Sequence, residues 1–348
     1  MDISTKILKP DRLLAWGIEG LLWAYVTILL AWLALRHTSG DRSGLVLSLN
    51  YLGVWLFLPL PLLGIWGLSK RKKYRAVLLF VPTGLLLWFY GPLLTPPAPQ
   101  ATNPANSVTI LTFNLGYLNA NVEALLTTIM ATQADVLALQ EISPFQQQHL
   151  EQALSLQYPY YWHDIEAGMA VYSRYPILTQ KNLPMQPWSA QSVVIQVAET
   201  PLHLINAHLA PVGIRRYFRT LDTDSVRRLT DNREAQISEI QTAIQETGLP
   251  AVIACDCNMT DLMTAYSQVT TTMRDAYRDR GWGLGHTFLI PRGLELRFPF
   301  NLPVLRLDYL FYSPEITAIT IDIISGDTGS DHLPLVGQFE LDKNERLR

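Results

Sequence analysis

Nine residues of kinds that can work on a phosphate ester lie in seven short fragments: LTFNL at 111–115, LALQE at 137–141, VYSRYP at 171–176, INAHL at 205–209, ACDCN at 254–258, LRLDY at 305–309 and SDHLP at 330–334. They are Asn114, Glu141, Arg174, His208, Asp256, Asn258, Asp308, Asp331 and His332. The set holds carboxylates for a hard cation, amides for phosphate oxygens, and a histidine with acids to support it. Metal-assisted phosphoester hydrolysis needs that combination. No single fragment is specific; their order and their places on the elements carry the weight.

Those elements are legible as a strand and helix alternation. Strands fit Ser107–Asn114, Val136–Leu139, Ala170–Ser173, Val193–Val197, Leu202–His208, Ala251–Ala254, Asp308–Tyr312, Ala318–Ile323 and Leu335–Glu340. Apolar residues at helical spacing mark Val122–Ala131, Pro144–Leu156 and Arg233–Thr247. The fragments fall at strand ends or just past them. Many strands with few covering helices imply two sheets packed face to face, helices outside, and a site at one rim.

The ordered fragments, ending in LDY and SDH, resemble the endonuclease/exonuclease/phosphatase superfamily of metal-dependent hydrolases over about 108–340. The resemblance implies a four-layer α/β sandwich of two mostly antiparallel sheets with outer helices. It implies Glu141 as the ligand of a divalent cation, magnesium with manganese as the alternative, assisted by Asn114 and Asp331. Asp256 is then the group that orients and deprotonates water, and Asn258 donates to phosphate or orients that aspartate. His332 stabilises phosphoryl charge, and Asp308 holds it cationic. Asn114 and His208 contact phosphate or leaving-group oxygens. Arg174 is a substrate-binding candidate, with a structural salt bridge as the competing reading. His286 is a candidate substrate contact; His37, His149, His163 and His203 read as surface or packing residues.

Three apolar stretches precede this region, at about 13–35, 44–68 and 76–94, each near the ~20 residues needed to cross a ~30 Å hydrocarbon layer. Glu19 reads as an interface or helix-packing residue. Between the second and third lies SKRKKYR at 69–75, whose five positive charges place it in the cytoplasm. The N-terminus is then cytoplasmic, and everything after Leu94 lies outside. Residues 95–107 contain four prolines and read as an extended spacer reaching at most ~40 Å. The membrane layout resembles a bacterial subgroup of the superfamily.

Charge divides with the chain. Residues 1–107 carry ten Lys or Arg against four Asp or Glu; residues 108–348 carry 17 against 26. An acidic second part with only two lysines, Lys181 and Lys343, disfavours a nonspecific nucleic-acid binder. Arginines at 215, 216, 219, 227, 228 and 233 form a candidate anion-binding insert, Arg233 with Gln236 reading as structural. FLIPRGLELRFPFNLPVL at 288–305 is a candidate lipid-contacting loop. The expected activity is therefore phosphoester hydrolysis on an envelope phospholipid or lipid-linked phosphate. An extracytoplasmic nuclease and a catalytically idle scaffold are the alternatives. The only cysteines, Cys255 and Cys257, would share one face of a strand and read as small packing residues.

Overall fold

Alternation of side chains along the strands divides one apolar sequence among three layers of core. In β1 (Ser107–Asn114), Val108 and Ile110 face one way and Leu111 and Phe113 the other. β7 (Thr200–His208) does the same with Leu202 and Leu204 against Ile205 and Ala207. Strands covered on both faces read as near-continuous apolar runs, as these do. A computed structural model of the chain describes residues 10–69, 73–100, 106–185, 188–211, 220–289 and 302–341.

The first six-stranded sheet contains β1, β2 (Val136–Gln140), β3 (Tyr160–Asp164), β4 (Met169–Ser173), β13 (Ile316–Ile323) and β14 (Leu335–Leu341), in the order β13-β14-β1-β2-β4-β3. The second contains β5 (Ile177–Leu183), β6 (Ala190–Val197), β7, β8 (Ala251–Asp256), β9 (Arg274–Asp275) and β12 (Asp308–Tyr312), in the order β5-β6-β7-β8-β12-β9. A two-stranded piece joins β10 (Phe288–Leu289) to β11 (Pro303–Leu305). Pairing is antiparallel except β1 with β2 and β7 with β8. Helices close both outer faces. α5 (Val122–Ala131) and α6 (Pro144–Leu154) cover the first sheet, and α7 (Thr223–Thr247) and α8 (Thr264–Val269) the second. A short α9 (Ala276–Arg280) completes this part. This is the expected four-layer sandwich, with α7 starting ten residues before the expected helix.

A polar clasp joins the sheets beneath the rim. Buried Asn206 of β7 donates to the carbonyls of Leu139 (3.1 Å) and Ala170 (3.2 Å) in the facing sheet and accepts from Gln140 Nε2 at 2.7 Å. A second buried network lies under β12. Arg306 bonds Asp275 and lies 3.3 Å from Asp261, its guanidinium over the rings of Tyr309 and Tyr277.

The apolar N-terminus forms α1 (Pro10–Ser39), α2 (Gly44–Leu52), α3 (Leu60–Ser69) and α4 (Lys73–Tyr90). Two helices, Leu13–Arg42 and Lys73–Leu94, are long and apolar enough to cross a membrane. Glu19 of α1 pairs with Arg75 of α4 at 2.8 Å, which fits its reading as a packing residue. The second expected span is bent and, taken as one, brings the candidate spans to three. Residues 44–68 do not form one straight helix: Gly44–Phe57 and Leu60–Gly67 meet at 48°. Gly53 ends α2 at φ 54°, and Pro59 precedes α3. Buried Leu47 of α2 packs within the core under the second sheet. Lys70–Lys72 of the basic loop, 101–105 of the spacer, the arginines at 215, 216 and 219, and most of the apolar loop at 288–305 lie outside the described residues.

The cysteine reading is corrected: Cys255 and Cys257 form a disulfide, with Cα atoms 5.1 Å apart. The reason is local. β8 ends at Asp256, so the chain turns before Cys257 and draws the pair to bridging distance. Alkylation of the unfolded protein should therefore find no free thiol before reduction and two after it, read by intact mass. Separately, Arg306→Leu leaves buried Asp275 without its cation and should cost about 3–5 kcal/mol of unfolding free energy, measured by denaturant titration.

Candidate active site

Parallel pairing aligns strand ends. Asn114 and Gln140 are register partners, as are His208 and Asp256, so β1, β2, β7 and β8 deliver their last residues to one rim. β12 runs the opposite way and begins there, with Asp308 opposite Asp256. One bond crosses from sheet to sheet, and local bonds fix the side chains it joins. Asn114 Nδ2 donates to Asp256 Oδ2 at 2.9 Å, and Gly116 N donates to Asn114 Oδ1 at 2.9 Å. Asn258 N donates to Asp256 Oδ1 at 3.1 Å. Asp256 is 1% exposed, and these donors replace the water its carboxylate has lost.

Two imidazoles flank Asp256. His208 Nε2 and His332 Nε2 both lie 3.6 Å from its Oδ2, and His208 Nε2 lies 3.6 Å from Glu141 Oε1. His332 Nδ1 meets Asp308 Oδ2 at 2.8 Å. Burial works against a charge on His332, but the carboxylates of Asp308 and Asp256 outweigh it and the imidazole is pushed up to about 10. Ser330 holds the turn that presents it: its Oγ donates to Asn114 O at 2.7 Å and accepts from His332 N at 3.0 Å.

Glu141 and Asn258 both occupy the left-handed region, at φ 52° and 48°. Side-chain-bearing residues adopt it at a cost, and such residues gather where geometry is over-determined. Glu141 accepts from Tyr117 N at 3.2 Å, and Asn258 Nδ2 donates to Leu209 O at 3.0 Å.

One ligand atom from each of Glu141, His208 and Asp256 lies within 4.8 Å of the others, and the same holds for Asp256, Asp308 and His332. The first group fits a divalent cation: two carboxylates and a histidine, with Glu141 partly open to solvent. The second is more enclosed: all three residues are buried, and His332 and Asp308 already bond each other. Asn114 offers its amide NH2 to Asp256 and turns its oxygen toward Gly116, so its described partners leave the ligand role to the carboxylates.

Seven of the nine expected residues therefore converge: Asn114, Glu141, His208, Asp256, Asn258, Asp308 and His332. Asp331 is exposed and belongs to neither ligand group, although its charge adds to the field on His332. Arg174 is a correction. It pairs with Asp135 at 3.2 Å, at the end of β2 opposite Glu141, about 20 Å away by strand rise. His286 meets Pro303 O at 3.2 Å, outside both groups. His203 packs between Ser192 and Thr247, its imidazole lowered to about 4 by burial. Arg233 is buried and donates to Ala210 O, as a structural arginine does. Sequence reasoning missed Ser330, which the SDH fragment contains, and Trp188, whose ring stacks on His208 at 5.4 Å; an isolated tryptophan gives no signal of that.

The Endonuclease/Exonuclease/phosphatase family model matches residues 111–332, more than half of the chain. The chain belongs to this family. Solved structures agree on the fold. An endonuclease/exonuclease/phosphatase from Bacteroides vulgatus is 21% identical, with TM-score 0.54, over 68% of this chain and 99% of that one. TDP2 of D. rerio, complexed with a single strand DNA product, is 17% identical, with TM-score 0.53, over 67% and 99%. No curated protein matches the chain. The family consists of phosphoesterases and nucleases, and this member carries a carboxylate–histidine cluster able to hold a divalent cation.

The raised imidazole has a pH signature. A group whose folded value lies above its unfolded value stabilises the fold fully below the unfolded value and loses that contribution as pH rises through the folded one. For His332 the window runs from about 6.5 to about 10. In metal-free protein the His332 ring should still be protonated at pH 8 by NMR; a ring neutral there would contradict the Asp308 pairing.

Proposed function

We propose that this chain is a membrane-anchored, outward-facing, divalent-metal-dependent phosphoesterase whose substrate is a phospholipid or lipid-linked phosphate of the cell envelope. The observation that carries the chemistry is Asp256: a buried carboxylate oriented by Asn114 and Asn258 and flanked by two imidazoles. In this reading Asp256 positions a water and takes its proton. His332, charged through Asp308, donates to the phosphoryl oxygen on which negative charge accumulates. His208 and Asn258 contact the remaining phosphate oxygens. Glu141, beside Asp256 and His208, would hold magnesium or manganese, which when bound supplies charge neutralisation at the phosphate.

Two features support a lipid, and a third the outward orientation. Both long apolar helices end against the catalytic domain: Arg36 donates to Leu262 O, and Gly283 N donates to Leu93 O. Exposed Tyr117, Leu118 and Trp188 (52%, 93% and 41%) lie beside Glu141 and His208 at the rim. The disulfide beside Asp256 suits an oxidising compartment and so agrees with the outward orientation deduced from the basic loop.

The nuclease reading rests on Trp188, an exposed ring beside the phosphate position that offers a face on which a base stacks. Substrate turnover separates the two. Full-length protein with magnesium is given phospholipids, a polyprenyl pyrophosphate, and single- and double-stranded DNA, beside Asp256→Ala and His332→Ala. Lipid phosphate release should appear and fall by at least about 100-fold in each variant. DNA cleavage alone would transfer the assignment to the nuclease. Absence of metal-dependent turnover on the whole panel would count against both and favour the scaffold.

A further inference from the structure

The chain that follows Asp256 is held by the membrane segment at every second residue. Tyr51 OH donates to Asn258 O at 3.1 Å. Thr260 Oγ1 donates to Asn50 O at 2.7 Å. Arg36 Nε donates to Leu262 O at 2.8 Å. Thr264 N donates to Asp41 Oδ2 at 2.7 Å. Positions 258, 260, 262 and 264 thus each take one bond from α1, α2 or the turn between them.

The donors and acceptors on the membrane side are themselves locked. Asn50 is fully buried; its Oδ1 accepts from Trp32 Nε1 at 2.9 Å, and its Nδ2 donates to Asp41 Oδ1 at 2.6 Å. Asp41 is 2% exposed, and its backbone carbonyl accepts from Thr230 Oγ1 of α7 at 3.3 Å. Leu47, one turn before Asn50, is buried among residues of the second sheet and α7. A flexible tether would make none of these contacts. A buried polar network of this kind fixes one arrangement, because each group left unpaired would be costly.

The contact with Asn258 bears on catalysis. Asn258 sits in the left-handed region, its N–H aims at Asp256 Oδ1, and its side chain is tied to Leu209 O. The Tyr51 hydroxyl is the remaining anchor, on its carbonyl. We infer that the membrane segment is a working part of the active site, in which Tyr51 and Asn50 are positioning residues that hold loop 258–264 and, through Asn258, the orientation of Asp256. The inference rests on the proposed roles of Asp256 and Asn258 for its catalytic half and on geometry alone for its structural half.

The test uses the full chain in nanodiscs and a pair of near-isosteric changes, Tyr51→Phe with Thr260→Val, which delete two hydroxyls and little volume. Three quantities are read: kcat and KM on bis(4-nitrophenyl) phosphate with magnesium, amide hydrogen exchange at 258–264, and the thermal midpoint. The expected result is faster exchange confined to 258–264 and a kcat lowered about ten- to a hundredfold, with KM unchanged. The midpoint should move little, and restoring Tyr51 should recover part of kcat. Unchanged exchange at 258–264 overturns the inference whatever kcat does, because the loop then holds itself. Faster exchange with unchanged kcat overturns its catalytic half. Should wild-type protein hydrolyse nothing, the proposed function fails on its own account, while hydrogen exchange still decides whether the membrane segment holds the loop.

Discussion

One hydrogen bond across the rim, from the Asn114 amide to the Asp256 carboxylate, brings the rest of the site into relation. Asn114 closes β1 in one sheet and Asp256 closes β8 in the other. A carboxylate so nearly enclosed is tolerable only with donors at its oxygens, and the two sheets can supply them only if their strand ends meet. That requirement fixes the relative offset of the sheets more tightly than apolar packing does, since apolar contact is non-directional. The Gln140–Asn206 clasp, one residue inside the rim, sets the same offset by a second route. Glu141, His208 and His332 then reach Asp256 because their strands or turns are already in register with it.

The arrangement also separates two uses of acid. Asp308 lies inside, and its partner is a histidine it keeps charged. Its second oxygen, Oδ1, has no hydrogen-bond partner among the described residues. Glu141 stands partly in solvent, where a cation can arrive with some of its water. Burial and exposure assign the two carboxylates different work, although their side chains differ by only one methylene.

Much of this was readable from the chain alone. Strands buried on both faces leave continuous apolar runs, and a motif residue directly after such a run must lie at a sheet edge; that logic found Asn114, Glu141, His208 and Asp256. It failed where the signal was not local. Arg174 follows a strand as the others do, but β4 runs antiparallel to β2, so its end lies at the wrong rim. The Cys255–Cys257 bridge escaped because a strand was assumed to continue one residue too far. β5 was missed because its outward residues are exposed and polar, which dilutes the apolar pattern. The second apolar stretch has the composition of a span, and composition does not disclose the bend within it.

The strand order has a consequence for how such a protein is made. β1 lies between β2 and β14, the first and last strands of the catalytic domain being neighbours. His332 stands just before β14, so the imidazolium joins the base only when the final strand inserts beside the first. Long-range pairing of that kind forms late. A chain emerging stepwise therefore carries Asp256 for some time without the imidazolium that complements it. The cluster closes only at that last step, after the apolar N-terminal helices have already been synthesised.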